Sequence, residues 1–128
     1  MRVLHVDDDQ LIRELIKISM GRVGGHDVLS FPNGPAALDH LRTHPVDLII
    51  SDVMMPDMNG AQFVGAVRDE ALSDAPVVFL TAGFDLRTGA LEALAPIAIL
   101  GKPFDPFELP GEIDRRMTHA AQARTCQA

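Results

Sequence analysis

The sequence predicts one doubly wound α/β domain, in which a five-stranded parallel sheet is covered by helices on both faces. Five short apolar runs are bounded by turn residues, and three of them are too continuous for strands with one face in water. Amphipathic stretches between these runs are long enough to cross over a sheet. Parallel strands need right-handed crossovers that cover both sheet faces, and 128 residues are enough to bury one core.

The five apolar runs are interpreted as strands because each is short and ends at turn-forming or charged residues. The first run stops at three consecutive aspartates, the third at Ser51 and the fifth at Gly101. The predicted strands are Val3–Val6, Val28–Phe31, Val46–Ile50, Val77–Leu80 and Ile97–Leu100.

Helices are predicted where apolar residues recur at helical spacing between those strands. Asp9 is a candidate N-cap or first-turn acid of the first helix, and Asn59 is a candidate N-cap of the third. The predicted helical stretches are Leu11 to Met20, Ala36 to Leu41, a stretch containing Phe63, Val64 and Val67, Leu86 to Leu94, and Phe107 to Met117.

The last helix carries conflicting start signals. Asp105 and Glu108 form a candidate capping box, with Pro106 at the first helical position. Pro110 and Gly111 nevertheless fall where the second turn should begin, and both residues weaken a helix there. We therefore expect this helix to start late or to kink.

Composition bounds the function classes. The net charge of −7 and the pI near 5.0 argue against a nucleic-acid-binding surface, because phosphate neutralisation needs clustered Lys and Arg. A single cysteine excludes an intrachain disulfide, and no signal-peptide pattern or membrane-spanning run is visible. We expect a cytoplasmic protein without membrane or nucleic-acid partners, with its domain at residues 1–120 and a frayed tail at 121–128.

Polar side chains follow four of the five strands at their carboxyl ends, where doubly wound sheets place their chemistry. These are Asp7 and Asp8 after the first strand, Asp52 after the third, Thr81 after the fourth and Lys102 after the fifth. Clustered carboxylates suit Mg²⁺, and a carboxylate forms an acyl phosphate when a cation and a lysine neutralise the transferring group. Thr81 would donate a hydrogen bond to that group and move towards it as a switch.

The motifs at these strand ends resemble those of the receiver domain of two-component response regulators, over nearly the whole chain. They are "VDDD" ending at Asp9, "DLIISDVMMPDMNG" at Asp47–Gly60, "VVFLTAG" at Val77–Gly83 and "GKPF" at Gly101–Phe104. The resemblance implies a flavodoxin-like (βα)5 sandwich that acts as a stand-alone protein similar to the chemotaxis-type regulator.

The same resemblance implies a role for each candidate residue. Asp52 accepts a phosphoryl group from a histidine kinase or a histidine phosphotransfer protein, and Lys102 contacts that group. Mg²⁺ is bound by Asp8, by Asp52 and by the backbone carbonyl of Met54, with Asp7 acting through water. Beyond its own phosphorylation and autodephosphorylation the protein is then not an enzyme, but a docking switch or a phosphorelay intermediate.

The resemblance also sets expectations for the backbone and the partners. The Lys102–Pro103 peptide bond is expected to be cis. The downstream protein target is not specified, since no output module is visible in the sequence. The chain is expected to be a monomer or a phosphorylation-dependent dimer.

Two features depart from the usual pattern of the family. Ile99 stands three residues before Lys102, where most receivers carry Tyr or Phe, so Thr81 and Ile99 form the expected switch pair without an aromatic ring. Met54 and Gly83 stand two residues beyond the phosphoacceptor and the switch threonine, at positions that influence the lifetime of the phosphoryl group. Neither side chain can orient an attacking water, so we predict no assistance to autodephosphorylation.

Two other functions fit parts of the pattern. A phosphatase of the haloacid-dehalogenase type also uses an aspartate, Mg²⁺ and a lysine, and Asp7 with Asp9 mimics its "DxD"; the chain is short for that family, and "QLIRE" after Asp9 lacks the expected hydroxyl. A receiver-like module could instead work through protein contacts without phosphorylation, which Ile99 favours.

Overall fold

The structure is a computed structural model that describes residues 1–82 and 88–127. Its strands are β1 (Arg2–Val6), β2 (Asp27–Phe31), β3 (Leu48–Asp52), β4 (Val77–Thr81) and β5 (Ala98–Gly101). They form one parallel sheet in the order β2-β1-β3-β4-β5. This arrangement confirms the predicted doubly wound α/β fold.

The position of β3 differs by two residues from the predicted strand Val46–Ile50. The strand begins at Leu48, and the preceding Asp47 is bonded to Arg2 at the rim of the sheet. Its N–H donates to the Arg2 carbonyl at 2.8 Å, and its carboxylate accepts a hydrogen bond from the Arg2 N–H at 2.7 Å. Asp52 therefore belongs to the strand, and its backbone is held by the central part of the sheet.

Helices cover both faces of the sheet. They are α1 (Gln10–Ile16), which continues as a π-helical segment (Lys17–Val23), α2 (Gly34–Leu41), α3 (Gly60–Asp69), α4 (Thr88–Glu92) and α5 (Leu109–Gln127). The first residues of the predicted stretch Leu86 to Leu94 lie outside the described residues. Within the described ranges, no helix combines the length and the apolar character needed to cross a membrane.

The conflicting signals before α5 produce a late start. The Asp105 side chain accepts a hydrogen bond from the Phe107 N–H at 2.8 Å, inside a turn that precedes the helix, so the expected box with Glu108 does not cap α5. Pro110 falls in the first turn, where its missing N–H is not needed. The helix α5 runs to Gln127 and so includes residues 121–127, for which the sequence suggested a frayed tail.

Two apolar layers flank the sheet, because alternate residues of each strand point to opposite faces. Leu4 packs into the layer that contains Phe63 of α3. Val3 packs into the layer formed with Met20 of the π-helical segment and Ile113 of α5. The filled layers hold the carboxyl ends of the strands at one edge of the molecule.

Candidate functional site

The sheet brings together polar side chains that are distant in the sequence. β3 pairs with β1 on one side and with β4 on the other, and β4 pairs with β5. Asp7 and Asp8 therefore lie beside Asp52, and Thr81 ends the neighbouring strand. Lys102 reaches the same place from beyond β5, so the predicted carboxylates and the predicted lysine meet at one edge.

Lys102 forms ion pairs with two buried carboxylates. Its Nζ lies 2.8 Å from Asp7 Oδ2 and 3.0 Å from Asp52 Oδ1. The side chains of Asp7 and Asp52 are 0% and 7% exposed, so water screens these charges weakly. Lys102 therefore supplies the positive charge that two buried carboxylates need.

The pKa values of Asp52 and Lys102 are both raised, for different reasons. Burial raises the pKa of Asp52, the negative charge of Asp7 raises it further, and the hydrogen bond from Lys102 opposes this rise only in part. Burial alone lowers the pKa of Lys102, but hydrogen bonds and attraction from Asp7 and Asp52 outweigh that effect and raise the pKa above its ordinary value of 10.5. The lysine therefore stays charged, and it forms an ion pair with both carboxylates.

Asp7, Asp8 and Asp52 form a cluster with the chemistry of a metal site. One carboxylate oxygen of each residue lies within 4.8 Å of the other two. Three carboxylates face the ammonium group of Lys102, and a divalent cation would balance the excess negative charge. Mg²⁺ binds through one or two carboxylates and keeps several waters, which suits two buried acids beside the exposed Asp8. The residues present therefore fit a Mg²⁺ ion.

The segment after β1 gives its consecutive aspartates different partners. Asp7 Oδ1 accepts a hydrogen bond from the Asp9 N–H at 2.9 Å, and the Asp7 carbonyl accepts one from Arg13 Nη1 at 2.8 Å. The Asp9 side chain accepts a hydrogen bond from the Leu11 N–H at 2.9 Å, which confirms it as the N-cap of α1. Arg13 is a supporting residue that no sequence motif indicated.

The loop after β3 is shaped around the backbone of Asp52. A side chain on Gly60 would overlap the Asp52 carbonyl oxygen, and the Gly60 N–H donates to the Val53 carbonyl at 2.9 Å. Asn59 caps α3 as predicted, in a reciprocal pair with Gln62 whose two hydrogen bonds measure 2.8 and 2.9 Å. The start of α3 is thereby fixed against the strand end that carries Asp52.

Two hydrogen bonds to other elements hold the turn after β5, which carries Lys102. The Lys102 N–H donates to the Thr81 carbonyl at 2.7 Å, and the Lys102–Pro103 peptide bond is cis, as expected. Further along the turn, the Pro106 carbonyl accepts a 2.6 Å hydrogen bond from Ser19 Oγ. Sequence reasoning missed Ser19, because no motif marks a lone serine in an otherwise apolar helix face.

The expected switch residues lie close to this edge. Thr81 is half-buried at the end of β4. Ile99 pairs with Phe79, and the side chains of Phe79 and Thr81 share one face of the sheet with Ile99 because strand side chains alternate. Met54 follows β3 with 56% of its surface exposed. Gly83 lies outside the described residues.

Comparisons with known proteins agree with this geometry. Residues 3–114 match the family model of the response regulator receiver domain. The chain is 32% identical over 121 residues to the chemotaxis protein CheY homolog of Campylobacter jejuni. The matched region covers 89% of this chain and 90% of that protein. It is similar to the solved structure of Vibrio cholerae chemotaxis protein CheY4, with a TM-score of 0.81, 33% identity, and coverage of 89% of this chain and 96% of that one.

Other similar proteins are longer. The transcriptional regulatory protein YvrH of Bacillus subtilis is 32% identical over 127 residues, which are 95% of this chain and 51% of that protein. The response regulator Rre1 of Synechocystis is 38% identical over 117 residues, which are 84% of this chain and 47% of that protein. The chain thus spans about half the length of these two relatives.

Proposed function

The chain belongs to the response regulator receiver family, and from that premise we propose that it is a phosphorylation-controlled signalling switch whose phosphoacceptor is Asp52. The phosphoryl donor is the phosphohistidine of a histidine kinase or of a histidine phosphotransfer protein. The observation that carries this proposal is the Lys102 ammonium group, which lies 3.0 Å from the Asp52 carboxylate and 2.8 Å from that of Asp7.

The proposed transfer forms an acyl phosphate. A carboxylate oxygen of Asp52 attacks phosphorus, the P–N bond of the donor breaks, and the imidazole nitrogen keeps the electron pair. Lys102 balances negative charge that gathers on the transferred group. Asp8, Asp52, the Met54 carbonyl and, through water, Asp7 would hold Mg²⁺, which would supply the remaining positive charge.

The phosphorylated state is proposed to be read through Thr81 and Ile99. The Thr81 hydroxyl donates a hydrogen bond to a phosphoryl oxygen, and its movement changes the packing of Ile99 on the same sheet face. The output is docking to a downstream protein or onward transfer of the phosphoryl group. The chain acts as a monomer or as a phosphorylation-dependent dimer.

The phosphoryl group is proposed to leave Asp52 by hydrolysis without help from Met54 or Gly83, neither of which can orient a water molecule. The Met54→Asn variant tests this, because an amide at that position can bind an attacking water. We expect the adduct to decay in the variant at least as fast as in the parent. A slower decay contradicts the proposal.

The principal test incubates the parent and Asp52→Asn with acetyl phosphate and Mg²⁺, with and without excess chelator, and reads the intact mass promptly. We expect one phosphoryl adduct on the parent, none on Asp52→Asn, and none with chelator. Asp57→Asn is the matched control, because Asp57 lies exposed in the same loop at a positive φ of 67° that Asn tolerates. No adduct on the parent, with Mg²⁺ still bound and with a kinase panel also negative, would favour the phosphorylation-independent module.

A further inference from the structure

A hydroxyl group buried in the apolar layer beneath α5 contacts the turn that carries Lys102. Ser19 is 0% exposed, and its Oγ donates a 2.6 Å hydrogen bond to the Pro106 carbonyl. Apolar side chains such as Ile16 and Met20 fill the surrounding layer. A hydroxyl buried in such surroundings is costly without a partner, so this bond ties Pro106 to the π-helical segment.

The turn itself is braced by local hydrogen bonds. The Asp105 carbonyl accepts hydrogen bonds from the N–H groups three and four residues later, at 3.1 and 2.9 Å, and the Asp105 side chain accepts one from the N–H two residues later at 2.8 Å. These bonds set the shape of the turn, whereas its placement depends on bonds to other elements. The Thr81 carbonyl holds the turn at Lys102, and Ser19 holds it at Pro106.

The π-helical segment fits closely against the start of α5. The Gly24 N–H donates to the Ser19 carbonyl, five residues earlier, at 2.9 Å, which is the bond pattern of a π-helix. A Cβ added to Gly24 would lie 3.1 Å from Pro110 Cβ and 2.8 Å from the Met20 carbonyl, so no side chain fits there without displacement. This close contact sets the position of the segment, and hence of Ser19, relative to α5.

We propose that Ser19 is a positioning residue for Lys102 and acts through the Pro106 carbonyl. With the turn held at both ends, the Lys102 ammonium group stays 2.8 and 3.0 Å from the two buried carboxylates. Without the hydroxyl, the turn is free to shift, and a displacement of about 1 Å at a reacting group slows a reaction markedly. The inference deepens the proposed function and rests on it, since it concerns the lysine that contacts the phosphoryl group.

The chain offers a direct reporter, because Lys17 and Lys102 are its only two lysines. With a ¹³C label at lysine Cε, NMR of the metal-free protein gives two side-chain signals, which the Lys17→Arg variant assigns. In Ser19→Ala we expect the Lys102 signal to shift, because the ammonium group moves relative to the carboxylates that it contacts in the parent. We also expect phosphorylation by acetyl phosphate to slow about tenfold, as is common when a supporting residue is lost.

Two further variants separate positioning from general stability. Ile113→Val removes one methyl group from the same buried layer and is expected to leave the Lys102 signal and the phosphorylation rate unchanged. Ser19→Cys fills the space of the serine side chain but offers only a weak hydrogen-bond donor. It is expected to change the Lys102 signal and the phosphorylation rate in the same direction as Ser19→Ala. This variant provides the test if Ser19→Ala does not fold.

The inference is overturned if the Ser19 variants match the parent in both measurements, or if Ile113→Val changes the Lys102 signal equally. If the parent takes up no phosphoryl group, the proposed function fails, and the lysine signals of the metal-free protein still decide the role of Ser19.

Discussion

The ammonium nitrogen of Lys102 lies 3.0 Å from Asp52 Oδ1 while it also contacts Asp7 at 2.8 Å, so one lysine serves two buried carboxylates. The two carboxylates share one ammonium group. Burial and the charge of Asp7 therefore leave the pKa of Asp52 raised although it is paired. The two buried carboxylates therefore share less positive charge than would neutralise both of them.

Replacement of Lys102 by methionine is expected to raise the pKa of Asp52 further, because the hydrogen bond and the charge that lower it are lost. A carboxyl ¹³C NMR titration measures this directly. Phosphorylation by acetyl phosphate should fall by about 10² to 10³, typical of losing one group that stabilises developing charge. Lys17→Met, at an exposed position, should leave both quantities unchanged. An unaltered pKa of Asp52 in the Lys102 variant contradicts the pairing.

Mg²⁺ affinity should distinguish two adjacent aspartates. Asp8 belongs to the carboxylate cluster, whereas the Asp9 side chain caps α1. Asp8→Asn is expected to weaken Mg²⁺ binding about tenfold or more, because a charged ligand is lost. Asp9→Asn removes the same charge but keeps the cap, since Asn is as good an N-cap as Asp, and should change the affinity by less than about twofold. Titration calorimetry decides; an equal weakening in both variants would mean that only the summed charge matters.

Gly60→Ala should displace the end of β3, because the new Cβ would overlap the Asp52 carbonyl oxygen. We expect the free energy of unfolding to fall by about 1–3 kcal/mol and phosphorylation to slow. Gly65, in the same helix, is the matched control, since an added Cβ there meets nothing within 4 Å. Gly65→Ala should gain about 0.5–1 kcal/mol from helix propensity. Urea denaturation followed by circular dichroism compares them, and a Gly60→Ala variant as stable as the parent refutes the steric prediction.

His5 gives the fold a pH dependence that belongs to a single buried side chain. It is 0% exposed; its Nδ1 lies 3.1 Å from Ser30 Oγ, and its Nε2 has no partner in the part of the chain that the structure describes. Burial, reinforced by the positive charges of Lys102, Arg13 and Lys17, lowers the pKa of His5 from 6.5 to about 3. The folded protein therefore keeps this imidazole neutral.

Below pH 6.5 the unfolded chain binds a proton at His5, whereas the folded protein binds it only near pH 3. The free energy of unfolding therefore decreases as the pH falls from 6.5 towards 3. Between pH 6.5 and 5, the parent should lose about 2 kcal/mol more free energy of unfolding than His5→Leu. Circular dichroism is the suitable probe, because the chain has no Trp or Tyr. The exposed control His119→Leu should follow the parent. If the free energy of unfolding depends on pH in the same way in the parent and in His5→Leu, the folded protein protonates His5 as readily as the unfolded chain does.

The features that the sequence predicts well depend on near neighbours. Apolar runs bounded by turn residues place strand ends beside Asp7 and Asp52, and short polar side chains before helical patterns place the caps at Asp9 and Asn59. The same local rules indicated a late start of α5, because Pro and Gly act on the turn in which they stand. The fold class and the list of acidic candidates follow from such short-range patterns.

Other features are properties of the assembled chain. Lys102 and Asp7 are 95 positions apart, and Ser19 and Pro106 are 87 apart, so their bonds exist only once the sheet and helices have packed. The close approach of Gly24 to Pro110 and the lowered pKa of the buried His5 likewise depend on tertiary packing. Local patterns are read from intrinsic backbone and side-chain preferences. Ion-pair partners, buried hydrogen bonds and pKa values depend instead on which distant groups share a volume from which water is excluded.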